Sequence, residues 1–314
     1  MDTATVARFE ASRNRLASLA YRLLGSAADA EDTVQDAFLR WQAADREYIE
    51  VPEAWLTKIV TNLALDRLRS ARMRRERAVG AWMPEPLLDG DPMLGPADTV
   101  EQRESVTLAV LMLMERLSPV ERAVYVLREA FSYSHAEIAE FLGITESGSQ
   151  QHAHRARRRI AAVGHASDID PASARRIVEA FVAAASSGRT ERLVALLTDD
   201  ATGVSDGAGL KWGTGKLIRY PTPQRIAAAM RAGFAPSPAK RRLAGGSPDI
   251  HAAVVNGSPA MLATLDGRVV GAVILEMRAD RIAGVRGIAT ASRLGRLTAE
   301  WQRREHGVPL IESW

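Results

Sequence analysis

Two clusters of arginine give this chain the means to bind a nucleic acid backbone, because guanidinium groups neutralise phosphates and hydrogen-bond to them in pairs. The C-terminal arginine cluster consists of Arg155, Arg157, Arg158 and Arg159. The N-terminal arginine cluster consists of Arg67, Arg69, Arg72, Arg74, Arg75 and Arg77. Three aromatic residues precede it, namely Trp41, Tyr48 and Trp55. Rings beside a cationic groove can stack on unpaired bases, so the pattern predicts one contact with a duplex and one with a single strand.

The C-terminal arginine cluster ends a sequence that is typical of a helix-turn-helix. Its first helix has an apolar face made of Ile138, Ala139 and Leu142. Gly143 supplies the positive φ of a tight turn, and Ile144 fills the corner. Thr145 or Glu146 then caps a second helix of a build that fits the major groove. The alternative is a surface helix hairpin with solvated arginines, which the combined spacing disfavours.

Composition limits the other chemistry of the chain. Its 314 residues include no cysteine, which excludes thiolate catalysis, disulfides and cysteine-ligated zinc. Three of the six histidines, His152, His154 and His165, lie near the C-terminal arginine cluster, so we expect neither a metal site nor a cofactor. The net charge is +3, and neither a membrane span nor a signal pattern is present. We therefore expect a soluble, cytoplasmic protein that does not contact membranes.

Helical patterns occupy the first half of the chain. Residues 6–77 are predicted to be helical, with Gly25 ending the first helix, Ser26 capping the second and Pro52 beginning the third. The residues of the third helix that we expect to face inward are Trp55, Ile59, Leu63 and Leu65. Residues 80–98 contain seven glycines and prolines and predict a linker, after which residues 100–163 are helical again.

The second half of the chain changes from helices to strands. Helices are predicted over 177–185 and 191–197 and after Pro223. The predicted strands are Ala252–Val255, Ala260–Leu265, Val269–Met277 and Arg281–Ile288. Two-residue turn signals separate them, namely Asn256-Gly257, Asp266-Gly267 and Ala279-Asp280. This order predicts a small α+β cone with a curled antiparallel sheet.

Taken together, the motifs of the first half resemble those of extracytoplasmic-function (ECF) sigma factors. Asp29–Trp41 is similar to their core-polymerase-binding segment, and Pro52–Arg69 to their promoter-melting segment, which recognises the −10 element. Leu117–Arg122 and the helix-turn-helix resemble their −35-recognising domain. The resemblance implies a transcription initiation factor whose partners are RNA polymerase core and promoter DNA, with no catalytic residues.

The resemblance also implies which residues meet each partner. Those expected at core polymerase are Asp29, Asp32, Gln35, Asp36 and Phe38. Those expected at the −10 strand are Lys58, Asn62, Arg67, Arg69 and Arg72. Those expected at the −35 duplex are Glu146, Ser147, Gln150, Gln151, His154, Arg155 and Arg158.

The second half resembles the SnoaL-like (NTF2-like) domain that is fused to one sub-group of these factors, which includes the J-type sigma factors. Trp82-Met83-Pro84-Glu85-Pro86 is similar to the linker motif of that sub-group, and Asp206–Lys211 to its glycine-rich loop. Its terminal motif falls on Thr290–Leu294, which keeps a basic residue and a leucine. The resemblance implies regulation in cis, with interdomain roles for Trp82, Pro84, Glu85, Pro86, Asp206, Gly207, Gly209 and Lys211.

The predicted fold is therefore multidomain, with two all-α sigma domains followed by an α+β cone. The predicted segments are a first sigma domain over 1–78, a linker over 79–99, a helix-turn-helix domain over 100–165, a SnoaL-like domain over 168–300 and a tail over 301–314. Two alternatives for the cone stay open. It could bind an unidentified small ligand as a sensor, or act as an isomerase or cyclase with an acid or base drawn from Asp199, Asp206 and His251, although Asp206 is expected to serve a turn.

The second helix of the helix-turn-helix departs from the family pattern. Ser149 and His152 occupy positions that are usually apolar and face the first helix, and Gly148 lowers helix stability by roughly 1 kcal/mol relative to alanine. The domain would then be marginally stable alone, because buried polar groups without partners are costly. Alternatively the helix rotates slightly and buries Ala153 and Ala156.

Overall fold

A computed structural model of the chain describes residues 3–77, 82–95, 99–160, 169–207 and 217–314. The chain forms two compact units. The first unit comprises Met1–Ala78, Gly90–Val106 and Val110–Val163. The second unit comprises Val79–Asp89, Thr107–Ala109 and Gly164–Trp314. The first part of the linker sequence therefore groups with the C-terminal half of the chain.

The first unit begins with three long helices, α1 (Thr3–Leu24), α2 (Ala27–Ala43) and α3 (Pro52–Arg77). Their predicted ends are confirmed. Gly25 has φ of 66° and its N–H bonds to the Tyr21 carbonyl at 2.7 Å. The Ser26 side chain accepts from the Asp29 N–H at 3.2 Å and caps α2.

The predicted inward face of α3 was largely wrong. The buried residues of this helix include Leu56, Val60, Ala64, Leu65 and Leu68. Of the four predicted positions only Leu65 is among them, while Trp55, Ile59 and Leu63 are partly exposed. The reason is that α3 contacts α1 and α2 on one side and later helices of the same unit on another, so its apolar stripe is too wide for periodicity to place.

The predicted helix-turn-helix is confirmed. The helices that follow the linker are α4 (Val100–Glu104), α5 (Leu108–Met114), α6 (Pro119–Tyr125), α7 (His135–Leu142) and α8 (Glu146–Ile160), with a π-helical turn over Val126–Ala130. Of these, α7 and α8 form the helix-turn-helix. Ser118 and Ser134 begin α6 and α7 with capping boxes closed by Glu121 and Glu137. Gly143 has φ of 63° and ends α7 in the left-handed conformation.

The second unit packs helices on one six-stranded sheet. Its helices are α9 (Pro171–Ser186), α10 (Thr190–Leu196), α11 (Pro223–Phe234), α12 (Pro238–Ala244) and α13 (Ala291–Gln302). Its strands are β1 (Leu197–Ser205), β2 (Ile218–Tyr220), β3 (Asp249–Val255), β4 (Ser258–Leu265), β5 (Arg268–Arg278) and β6 (Arg281–Ile288). The strand order is β2-β1-β6-β5-β4-β3. Residues of α9, α11 and the sheet share one apolar core.

The expectation of a purely antiparallel sheet was wrong. β3 to β6 form the predicted antiparallel meander, and the residues Asn256, Asp266 and Ala279 adopt the positive φ of its tight turns. β1, which the sequence did not predict, pairs in parallel with β6. β1 is hard to recognise because its sequence, LTDDATGVS, carries polar residues at most positions and lacks the alternation of a half-buried strand.

Candidate nucleic-acid interface

The residues of α8 that sequence analysis assigned to duplex DNA share one exposed face. All seven are exposed, namely Glu146, Ser147, Gln150, Gln151, His154, Arg155 and Arg158. The opposite face is buried and consists of Ser149, Ala153, Ala156 and Ile160. Thr145, rather than Glu146, caps the helix, because its side chain accepts from the Gly148 N–H at 3.0 Å. A helix with one free polar face can enter a major groove.

The unusual serine of α8 has a partner. Ser149 is fully buried, and its hydroxyl lies 2.9 Å from Nδ1 of His135 at the start of α7. Ala153 and Ala156 are also buried, so the buried face of the helix combines Ser149 from the first alternative with both alanines of the second. His152 is only partly buried, and it contacts Arg155 at 2.9 Å. Partial burial and the Arg155 charge lower the pKa of His152.

Glu121 holds two members of the C-terminal arginine cluster. It lies 3.1 Å from Arg155 and 2.8 Å from Arg159, while Arg157 pairs with Glu129 at 2.6 Å. Burial disfavours the charged form of Glu121, but hydrogen bonds from Ser118 and the charges of Arg159 and Arg155 outweigh it and lower its pKa. The cap of α6 therefore also orients the end of α8.

The residues of α3 assigned to the −10 strand do not share one free surface. Lys58 lies 3.8 Å from Glu140, and the Asn62 side-chain amide is 3.5 Å from the Phe141 carbonyl, both on α7. Arg69 pairs with Asp66 on its own helix at 3.1 Å. The side chain of Arg72 lies outside the described residues.

The acidic face of α2 and the N-terminal arginine cluster meet at Arg67. Its guanidinium lies 2.7 Å from Asp36, 3.8 Å from Asp32 and 3.9 Å from Asp29. Arg67 was assigned to the −10 strand and the three aspartates to core polymerase, so an ion-pair network joins residues that were assigned to different partners. Gln35 is exposed. Phe38 packs on Phe9 with ring centroids 4.9 Å apart.

The three aromatic residues predicted to stack on bases differ in accessibility. Tyr48 is 83% exposed. Trp55 is partly buried against Trp41, with ring centroids 5.7 Å apart. The stacking role was wrong for Trp41, because this residue is buried and its indole N–H donates to the Thr5 carbonyl at 3.1 Å.

The linker is attached to the second unit just after the Trp82–Pro86 motif. The Leu87 N–H donates to the Asn256 side chain at 2.8 Å, and the Asn256 N–H donates to the Leu87 carbonyl at 2.9 Å. The Asp89 N–H donates to the Val254 carbonyl at 2.9 Å. Leu88 forms an antiparallel bridge with Val255. We call these contacts with the end of β3 the linker clamp. In the motif itself Pro84 and Pro86 are buried, and Trp82 and Glu85 are partly exposed.

Asp206 joins two of the motifs that sequence analysis singled out. Its carboxylate is buried and accepts from the N–H groups of Ala289 and Thr290 at 2.9–3.2 Å. It also lies 3.4 Å from Arg293, the basic residue of the terminal motif. Asp206, which directly follows β1, therefore caps the start of α13, which is far away in sequence. Gly207 has φ of 72°, whereas Gly209 and Lys211 lie outside the described residues.

Comparison with known proteins agrees with this arrangement of helices. The family model described as Sigma-70 region 2 matches residues 8–74, and Sigma-70, region 4 matches residues 107–160. The probable ECF RNA polymerase sigma factor SigI of Mycobacterium tuberculosis is 33% identical over 299 residues, which cover 94% of this chain and 96% of that protein. The chain belongs to the ECF RNA polymerase sigma factors.

The likeness of this sigma factor to its relatives includes the second unit. The ECF RNA polymerase sigma factor SigJ of M. tuberculosis is 42% identical over 206 residues, which are 65% of each chain. The crystal structure of M. tuberculosis SigJ matches with a TM-score of 0.68 and 29% identity, covering 93% of this chain and 98% of that one. Sigma factors as a family are not enzymes. As a member of this family, the chain is a factor for promoter-specific transcription initiation.

Several residues that position the surfaces of this sigma factor were not predicted from the sequence. Tyr133 contacts α3, Glu121 orients α8, and Asn256 holds the linker. The signal for Glu121 was present in its motif, and Asn256 was recognised only as a turn residue. Among the described ranges, no helix is long and apolar enough to cross a membrane, and no group of three or more His, Asp or Glu could hold a metal.

Proposed function

We propose that the C-terminal domain regulates this sigma factor in cis by controlling the linker between its two DNA-binding parts. In this proposal the exposed face of α2 binds core polymerase, α3 and Tyr48 bind the −10 strand, and α8 binds the −35 duplex. The linker motif and the Asp206 loop belong to the regulatory apparatus. The observation that carries the proposal is the linker clamp, since it attaches the chain between α3 and α4 to β3 of the C-terminal domain.

The length of the linker makes its attachment important. The chain between Arg77 and Val100 would reach about 80 Å if it were fully extended. Here Pro92–Leu94 form a 3₁₀ turn, and Gly95 lies so close to α1 that a Cβ would overlap Ser18. The folded linker therefore cannot reach its extended length, and in this proposal its release frees the two DNA-binding parts to occupy both elements.

A regulatory role suits the C-terminal domain better than catalysis. Asp199 is 95% exposed and pairs with Arg281, and the Asp206 carboxylate caps α13. His251 packs edge-on against Trp301 with centroids 5.0 Å apart. None of these three candidates is held against the apolar core of the cone as an acid or base would be. Binding of a small ligand by the cone stays a hypothesis.

Run-off transcription with core polymerase, together with promoter binding measured by fluorescence anisotropy, tests this function. The full chain and a chain ending at Ala166 would be compared on one promoter. We expect both chains to require core polymerase for transcription. The shorter chain should bind promoter DNA more tightly, because it lacks β3 and its linker is therefore not attached. If the shorter chain bound DNA no better than the full chain, regulation in cis through the linker would be abandoned.

The role of α8 predicts a specific salt effect. Replacing Arg155 and Arg158 with alanine should weaken duplex binding, and the salt dependence of binding should flatten by roughly one unit of slope per lost phosphate contact. Fluorescence anisotropy across a salt series measures both. The charge-matched control is Arg189→Ala with Arg192→Ala. Both arginines are exposed; Arg189 immediately precedes α10 and Arg192 lies within it. An equal slope for wild type and the α8 variant would contradict the assignment.

A further inference from the structure

A loop of the first unit ties the two DNA-binding parts together. Phe131, Ser132 and Tyr133 connect the π-helical turn to α7, and Ser132 adopts a positive φ of 58°. The Tyr133 hydroxyl accepts from Arg15 of α1 at 2.8 Å and lies 3.0 Å from the Thr57 hydroxyl of α3. Because the Thr57 hydroxyl donates to the Glu53 carbonyl at 2.8 Å, Tyr133 is the donor to Thr57. We call this loop with its partners the aromatic lock.

Two arginines of α1 add to the aromatic lock. The Arg15 guanidinium lies 5.3 Å from the ring centroids of both Phe131 and Tyr133. The Arg22 guanidinium lies 5.5 Å from the Phe131 ring and donates to Ser105 at 2.8 Å. Burial lowers the pKa of Arg22 to about 10, which still leaves it charged near neutral pH. Cations over ring faces are attracted to them, and more strongly where water is excluded.

The aromatic lock places α7 over part of the −10 surface. Tyr133 stacks edge-on against Phe141 with centroids 5.1 Å apart, and the Phe141 carbonyl in turn contacts Asn62. Lys58 lies 3.8 Å from Glu140, the residue that precedes Phe141 on α7. Both α3 residues therefore have protein partners on α7 in place of a nucleic acid strand. The −35 face of α8 is exposed over all seven of its assigned positions.

We propose that the aromatic lock imposes an order on promoter binding, in which the closed factor binds the −35 duplex first and binds the −10 strand only after α7 leaves α3. The inference rests on the proposed roles of α3 and α8. A surface that is free only in a minor open population binds with an affinity reduced by that fraction. The −10 strand thus binds weakly to the closed factor, whereas the −35 duplex binds to closed and open forms alike.

Tyr133→Phe tests the order in the full chain. The variant keeps the ring on Arg15 and Phe141 but loses both hydroxyl contacts. We expect a fivefold to thirtyfold tighter binding of a single strand that carries the −10 element, as the loss of one or two net hydrogen bonds would give. Binding of a −35 duplex should not change. Both probes would come from a promoter that supports run-off transcription, and Tyr220→Phe on β2 is the control.

Dye pairs report the opening itself. Because the chain has no native cysteine, Ser70→Cys on α3 and Ala136→Cys on α7, both exposed, would carry the dyes. Energy transfer should stay high with the −35 duplex and fall with the −10 strand or in Tyr133→Phe. Unchanged strand affinity and transfer in Tyr133→Phe would overturn the order while leaving the roles of α3 and α8 intact. Failure of the wild type to bind the duplex would remove the role of α8 and the order with it.

Discussion

Replacing Asp206 with alanine should destabilise the second unit by about 3 kcal/mol. The change removes a buried carboxylate that accepts from Ala289 and Thr290 and that neutralises Arg293. Two backbone N–H groups and one guanidinium then lose their charged partner, and such losses cost far more than the net energy of the bonds themselves. Hydrogen exchange of α13 and of the end of β6 in the full chain would measure the loss.

Asp199→Ala is the matched control for that experiment. Asp199 lies on β1, seven residues before Asp206, and is likewise paired with an arginine, Arg281 at 3.2 Å, but its side chain is 95% exposed. Exposed ion pairs contribute little because solvent screens them, so we expect less than about 1 kcal/mol. Similar losses for the two variants would show that Asp206 is not the main support of α13, and its place in the motif would then need another explanation.

Local signals in the sequence were sufficient for most of the helix-turn-helix. Ser118, Ser134 and Gly143 begin and end helices because of hydrogen bonds within a few residues of themselves. Such bonds depend on residue type at fixed spacing, and a single sequence records both. The exposed face of α8 was predictable for the same reason, since helical periodicity fixes which positions are opposite Ala153 and Ala156.

Contacts between distant residues account for what the sequence did not predict. Ser149 finds His135 in another helix, Leu87 finds Asn256 in a strand turn, and Asp206 finds Thr290 at the start of α13. Ser149 is also an ordinary small residue of a helix, and Asn256 and Asp206 are also ordinary turn residues. Nothing in the local pattern distinguishes that role from a tertiary one, so the partner emerges only once the fold is known.

The second large effect is expected from Asn256→Gly, which should raise transcription by the full-length factor about tenfold. Glycine keeps the positive φ that this turn requires. It removes the side-chain oxygen that accepts from the Leu87 N–H at 2.8 Å. The buried Leu87 N–H then has lost this partner while the linker is attached to β3. That loss costs about 1–3 kcal/mol, and it favours a free linker. Run-off transcription at limiting factor concentration measures the gain.

The neighbouring turn provides the control, because Asp266→Gly likewise places a glycine at a positive-φ position, here the exposed β4–β5 turn. It should leave transcription unchanged if the linker clamp, and not turn flexibility, is what matters. Proteolysis at the linker gives an independent measure, and only Asn256→Gly should accelerate cleavage near Glu85. Faster cleavage without more transcription would separate the two steps, since the linker would then be released without α7 leaving α3. In that outcome the aromatic lock, rather than the C-terminal domain, would limit promoter opening.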